Sequence, residues 1–171
     1  MTLSEKTKQA IKRLQKLYPE KRSALIPALH IAQNEVGYLP PDVQKEIADL
    51  FDIDANEVQA IVSFYDMFFD KPVGKHIIHV CKNVSCMLHG CDTLLSSLCK
   101  KLNVKPGGTT ADGECTVIAS ECLAACDRAP VLLVDDNVVG HVKESDLDRI
   151  LQDARKSKGH PSPISAEDVH G

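Results

Sequence analysis

The sequence predicts an α+β chain in which a bundle of helices precedes an α/β half. Three observations lead there. Up to about residue 69, apolar residues recur at helical steps. Beyond Pro72 and Gly74, short β-branched runs alternate with helical stretches. At the ends of those runs lie two local pairs of cysteines, Cys81 with Cys86 and Cys122 with Cys126, which give the second half its chemistry.

The first helix is expected over Ser4 to Tyr18, with Ile11, Leu14 and Leu17 at three-residue steps and Pro19 as its stop. A second runs from about Ser23 to Val36, with Pro27 near its first turn and Gly37 as its C-terminal stop. Pro40-Pro41-Asp42 opens a third, carrying Val43, Ile47, Leu50 and Phe51. Asp54 caps a fourth, in which Val58, Ile61, Val62, Tyr65 and Phe68 share a face. His30 and Gln33, one turn apart, are expected to make interhelical hydrogen bonds, since one histidine and one amide form a poor metal site. Phe64, Phe68 and Phe69 crowd the bundle's last turns, as a packed seam or as a docking surface for a partner.

Asp70 to Lys75 reads as a boundary because Pro72 and Gly74 break the helical period. The expected domains are therefore residues 1–70 and 71–157, followed by a polar, proline-containing tail over 158–171 that stays flexible. His160 and His170 in that tail are weak metal candidates. In the second domain His76 to Val80 is the first strand, and Asp92 to Leu102 a helix with Leu94, Leu95, Leu98 and Leu102 inward. Gly107-Gly108 and Asp112-Gly113 bracket a turn-rich link to a second strand, Thr116 to Ser120. Pro130 to Val134 and Val138 to Val142 are strands joined by a hairpin at Asp135-Asp136-Asn137. A last helix starts near Glu144 and carries Leu147, Ile150 and Leu151. His76 and His79, three apart on a strand, face opposite sides and cannot pair. This order of elements fits more than one α/β fold.

With 171 residues and 43% apolar content, the chain can bury one real core and has length for a small second unit. A net charge of only −4, with scattered lysines and arginines, offers no footprint for nucleic acid. No run approaches the roughly 20 apolar residues of a transmembrane helix, and the first residues lack the apolar core of a signal peptide. A soluble protein without direct membrane insertion is expected. Seven cysteines without a secretion signal point to a reducing compartment, where clustered thiols serve as ligands or redox groups more often than as disulfides. No Walker-type loop and no G-x-G-x-x-G after a strand is present, so the chain has no complete active site and no catalytic residue is assigned.

Both cysteine pairs stand at strand-to-loop junctions, so loops leaving neighbouring strands can bring four thiols to one metal site. C-x-x-C knuckles would point to zinc. The C-x4-C and C-x3-C spacings here leave room for a bulkier core, such as a 2Fe-2S cluster, which takes two thiolates per iron. Spacing alone leaves zinc and a two-iron cluster both open. Cys91 and Cys99 read as small buried core residues, and Cys115 starts a strand.

Together with its flanking residues, this pattern resembles the thioredoxin-like 2Fe-2S ferredoxins, above all the small iron-sulfur subunit family of the NADH-oxidising module of respiratory complex I. The resemblance runs from about Leu14 to Val142. It is carried by Pro27 to Gln33, Gly37-Tyr-Leu-Pro40, Ser63-Phe-Tyr65, Lys71 to Lys75, Asp112-Gly113, Glu121 to Cys126, Ala129-Pro-Val131 and the paired cysteines. It implies a thioredoxin-like domain with a mixed four-stranded sheet and one 2Fe-2S cluster held by Cys81, Cys86, Cys122 and Cys126. It also implies a larger flavoprotein partner carrying FMN and NADH, further iron-sulfur subunits, and a role as a subunit of NADH:quinone oxidoreductase. The implied place is the cytoplasm, or the cytoplasmic face of the inner membrane through the larger complex. The small subunits of NAD-linked hydrogenases and formate dehydrogenases are similar too.

Two positions depart from the family. Ala124 stands where glycine is usual, so a left-handed backbone there is in question. Cys115 stands where an aromatic residue is common and reads as a core substitution. Around the cysteines, backbone amides and the side chains of Asn83, Ser85 and Ser120 are expected to face the sulfurs. Val84, Met87, Leu88, Leu123 and Ala125 are expected to limit water access, and Lys82 and Arg128 to be surface charges. A rival from another class is a zinc-stabilised structural adapter with the helical unit as its interaction surface. A thiol redox sensor is the weaker third, since no C-x-x-C pair is present.

Overall fold

In the computed structural model, which describes residues 2–159 and 164–169, the chain divides into two units. The first takes the chain up to Pro72 together with 164–169, and the second runs from Val73 through the last helix.

In the first unit α1 spans Glu5–Gln15, with the Ser4 hydroxyl accepting the Thr7 amide and Ala10, Ile11 and Leu14 turned inward. A 3-10 turn, Lys21–Ala24, feeds directly into α2, Leu25–Val36. Pro27 is its third residue, where an amide would have no partner in the helix anyway. Gly37, at φ +88, closes the helix in the left-handed conformation that glycine adopts without strain. Helix α3, Pro41–Phe51, opens on its proline. Helix α4, Ala55–Phe64, is capped by the Asp54 carboxylate, which accepts the Asn56 amide at 2.8 Å. Ile11, Leu25, Leu29, Ile31, Leu39 and Ile47 fill the core.

Helix α4 ends at Phe64, one turn short of the expected Phe68. The Gln33 side chain takes over the backbone there, donating to the Met67 carbonyl at 2.9 Å and accepting the Phe69 amide at 2.9 Å. The His30 ring lies against Phe68 with centroids 4.8 Å apart. His30 and Gln33 of α2 thus hold the segment after α4.

Residues 164–169, within the stretch expected to be a flexible tail, pack on this unit. Val169 is buried, Ile164 and Ala166 lie against the core, and Asn34 donates to the Ile164 carbonyl at 2.7 Å. His160 and His170 lie outside the described residues.

The second unit is built on β1, His76–Cys81, with all six residues buried. The strand order is β2-β1-β3-β4, with β2 Cys115–Ser120, β3 Leu132–Val134 and β4 Asn137–Val139. Strands β1 and β2 run parallel, while β3 is antiparallel to β1 and β4 to β3, so the sheet is mixed and four-stranded as the resemblance implied. Between β1 and β2 come a short α5, Val84–Leu88, and α6, Cys91–Leu102; α7, Leu147–Lys156, ends the unit. Leucines 94, 95 and 98 of α6 and Leu147, Ile150 and Leu151 of α7 pack with Ile78, Val80, Val117 and Leu132 of the sheet. Residues 107–110 pair along the outer side of β2, with the Val117 amide donating to the Gly108 carbonyl and that of Thr110 to Cys115.

Strand β4 stops at Val139, short of the expected Val142. His141, at φ +53, turns its amide to the Arg128 carbonyl at 2.6 Å, and Val142 resumes pairing with the Pro130 carbonyl. His76 and His79 do face apart. His76 Nδ1 meets Asp135 Oδ2 at 2.9 Å, whereas His79 Nδ1 meets the Ser120 hydroxyl at 2.8 Å.

Candidate metal centre

Strands β1 and β2 are parallel neighbours whose last residues, Cys81 and Ser120, stand in register. Both cysteine loops therefore leave the same end of the sheet from adjacent strands, about 4.8 Å apart. Cys81 is the final residue of β1, and its amide donates to the Val131 carbonyl at 3.1 Å. Cys86 follows within α5, whose first amide is capped by the Asn83 side chain. On the second loop Cys122 stands just beyond β2, and Cys126 opens a 3-10 turn, Cys126–Arg128. The Ser85 hydroxyl donates to the Cys126 carbonyl at 3.1 Å and ties the loops together.

The first pair is buried and the second exposed. The Cys81 thiol donates to the Glu121 carbonyl at 3.5 Å; Cys81 and Cys86 shift one another's protonation, and Cys122 shifts that of Cys126. Among the described residues, no three Cys, His, Asp or Glu side chains gather tightly enough to hold a single ion. The thiols fall into two local pairs, and a two-iron core takes two thiolates per iron.

Their electrostatics differ. Burial alone would raise the Cys81 thiol, but the amides of Asn83 and Leu123 point at its sulfur and hold it below the usual thiol range. Burial and the neighbouring Cys81 thiol push Cys86 up to about 11. Cys126 is raised chiefly by the neighbouring charge of Cys122. Backbone donors reach a sulfur at each strand end: the Ala124 amide lies 3.4 Å from Cys122 Sγ, and the Val131 amide serves Cys86. Amides aimed at sulfur stabilise negative charge there, which a cluster of thiolates and its reduction both require.

The four expected ligands are thus brought to one end of the sheet, but several expected neighbours act otherwise. Ser120 bonds His79, Ser85 bonds the Cys126 carbonyl, and the Asn83 side chain caps α5, so none of these side chains serves a sulfur. Val84, Met87 and Leu88 are exposed on the outer side of α5 and do not wall the site. Ala125, Ala129 and Val131, with Leu123 half-buried beside them, pack on Cys81 and Cys86 instead. Lys82 is exposed, and Arg128 is half-exposed beside Asp127. Ala124 does adopt the left-handed conformation, at φ +54. The sequence reading placed Cys91 with Cys99 as ordinary core, yet Cys91 packs with Cys81 and Cys86.

Residues 11–155 match the model of the thioredoxin-like 2Fe-2S ferredoxin family. A subunit of the NADH-quinone oxidoreductase of Rhizobium meliloti is 39% identical over 158 residues, 92% of each chain. A subunit of the same name from Aquifex aeolicus is 40% identical over 134 residues, 78% of this chain and 84% of that one. The Escherichia coli counterpart is 35% identical over 150 residues, covering 88% and 90%. Among solved structures, an air-oxidized NAD+-reducing NiFe-hydrogenase superposes on 90% of this chain and 24% of its own, with a TM-score of 0.63 and 23% identity. At that identity the likeness supports the fold alone.

Proposed function

This chain belongs to the thioredoxin-like 2Fe-2S ferredoxin family, and we propose that it is the electron-carrying subunit of an NADH-oxidising complex, with Cys81, Cys86, Cys122 and Cys126 as its cluster ligands. The observation that carries the reading is the placement of two thiol pairs at the same end of adjacent parallel strands. Relatives matched over nearly their whole length and named as subunits of NADH-quinone oxidoreductase supply the biological setting. The partner is a larger flavoprotein that binds NADH and FMN, with further iron-sulfur subunits beyond it. The complex works on the cytoplasmic face of the inner membrane. No described helix of this chain is long and apolar enough to cross a membrane.

A bound 2Fe-2S cluster supplies a one-electron store. The chain's own residues hold it and set its surroundings. Strand β1 fixes Cys81, while the Asn83, Leu123, Ala124 and Val131 amides offset charge on the sulfurs. Ala125, Ala129 and Val131 keep water from the inner pair. The outer pair, Cys122 and Cys126, is the exposed side from which an electron exchanges with a partner.

The deciding experiment is the visible and EPR spectrum of the anaerobically purified chain, with iron, zinc and sulfide counted on the same sample. About two irons and two sulfides per chain, and an EPR signal that appears on reduction, are expected. A colourless chain with one tightly held zinc would overturn the reading in favour of a structural adapter.

A further inference from the structure

The family match ends at residue 155, so the stretch 164–169, which packs on the helical unit, lies beyond the part of the chain that the family shares. Its sequence, Ile164-Ser-Ala-Glu-Asp-Val169, builds a turn of its own. The Asp168 carboxylate accepts both the Ser165 amide, at 2.7 Å, and the Ser165 hydroxyl, at 2.6 Å. The Glu167 amide donates to the Ser165 hydroxyl at 3.3 Å, and the Asp168 amide to the Ser165 carbonyl at 3.2 Å. Side chains that bond the nearby backbone in this way fix a turn without help from outside. The turn sets Ile164, Ala166 and Val169 against the helical core, with Val169 buried.

The polar hold on the unit is light. Asn34 of α2 donates to the Ile164 carbonyl at 2.7 Å, and Lys6 of α1 reaches Glu167 at 3.1 Å. The side chains of that ion pair are 67% and 80% exposed, where such pairs add little. A preformed turn with an aliphatic residue at each end loses little freedom on docking, which is what a linear docking motif needs. The tether does the rest, because a motif on a short linker acts at an effective concentration on the order of millimolar. We propose that residues 164–169 are a latch, a docking motif carried in cis that closes a peptide-binding seat on α1 and α2. When the latch lifts, the seat takes a segment of the same chemistry: an aliphatic residue, a turn closed by serine and a carboxylate, and a second aliphatic residue. No cysteine takes part, so the latch stands or falls apart from the cluster reading.

The test uses the full-length chain. The Ile164→Asp/Val169→Asp variant puts a carboxylate at each aliphatic end, so its latch is expected to lift. A peptide of residues 164–169 with blocked ends is then titrated into isotope-labelled wild type and variant, followed by NMR, with a scrambled peptide as control. The peptide is expected to bind the variant with a Kd of roughly 0.1 mM, about a tenth of the tether's effective concentration. The amide signals that shift should surround Lys6 and Asn34. Binding to wild type is expected to be about 10-fold weaker, because its own latch fills the seat. Adding Asn34→Ala to the variant is expected to weaken the peptide about 5-fold, as the loss of one hydrogen bond does. The proposal is overturned if the peptide binds neither chain, if it binds both alike, or if the scrambled peptide binds as well. A variant that loses helix content by circular dichroism overturns it too, since the segment would then be core. So does a wild type that elutes as a dimer where the variant elutes as a monomer, since the segment would then seat on a second copy.

Discussion

Ala124 carries a methyl group in a left-handed backbone at φ +54, between two of the proposed ligand cysteines. For an L-residue that conformation costs about 1–2 kcal/mol, and glycine gives back about 0.5–1 kcal/mol through its freer unfolded chain. Ala124→Gly is therefore expected to stabilise the metal-free chain by about 0.5–1 kcal/mol, read as a higher urea midpoint. An unchanged or lower midpoint would show that the loop holds alanine without strain. The sequence put a left-handed backbone here in question because alanine stands where glycine is usual; the structure adopts it, and the amide it turns to Cys122 Sγ was not legible. At the far end of β1, Asp135 accepts both the Ile77 amide and His76 Nδ1 at 2.9 Å in a buried site. Asp135→Ala strands both groups, and at about 1–3 kcal/mol per unsatisfied group the loss is expected to be roughly 3 kcal/mol. Urea denaturation checks it, and a loss below about 1 kcal/mol would mean that water or Ser157, now 3.4 Å from the carboxylate, replaces the aspartate.

Among elements, the turn that carries Cys126 depends on a residue well outside it. A Cβ at Gly140 would lie 2.9 Å from the Arg128 carbonyl oxygen and closer still to the Arg128 Cβ, so the chain after β4 can lie against this turn only as glycine. Gly140→Ala is expected to push the Cys126–Arg128 turn outward, costing about 1–3 kcal/mol as overpacking does. It should also lower the iron retained through gel filtration. A variant that melts and retains iron like wild type would show that the turn gives way without disturbing Cys126. Helix and strand order were legible because each long element shows its period over enough residues, and the two cysteine pairs lie where those periods end. Helix α5 was not, because five residues are too few to display a helical repeat. The same gap sent Val84, Met87 and Leu88 to the wrong side: read as loop they were assigned to shield the cluster, while as helix they face solvent. Ser120 and Gln33 were recognised as notable residues, but their partners follow from strand register and helix packing, which one sequence does not display.

At the scale of the whole chain, the structure divides after Pro72, and the C-terminal stretch behaves less simply than its composition. Its polar composition reads as a tail, yet Ile164 and Val169 are apolar and reach the helical unit, far back along the chain. Burial of two separated residues leaves no periodic mark in a sequence, so it could not be foreseen. All four proposed ligands, the amides that face them, Cys91 and the whole sheet belong to the other unit. We therefore propose that this unit is a ferredoxin domain in its own right. At roughly 90 residues it exceeds the ~60 at which many domains fold alone. A fragment of residues 73–159, reconstituted with iron and sulfide, is expected to hold about two irons and to give the reduced EPR signal of the full chain. A fragment that folds and loads but shifts the signal would place part of the cluster's environment on the helical unit. A fragment that aggregates or stays colourless would refute the domain's independence, because the sheet and the ligand loops would then need the helices to form at all.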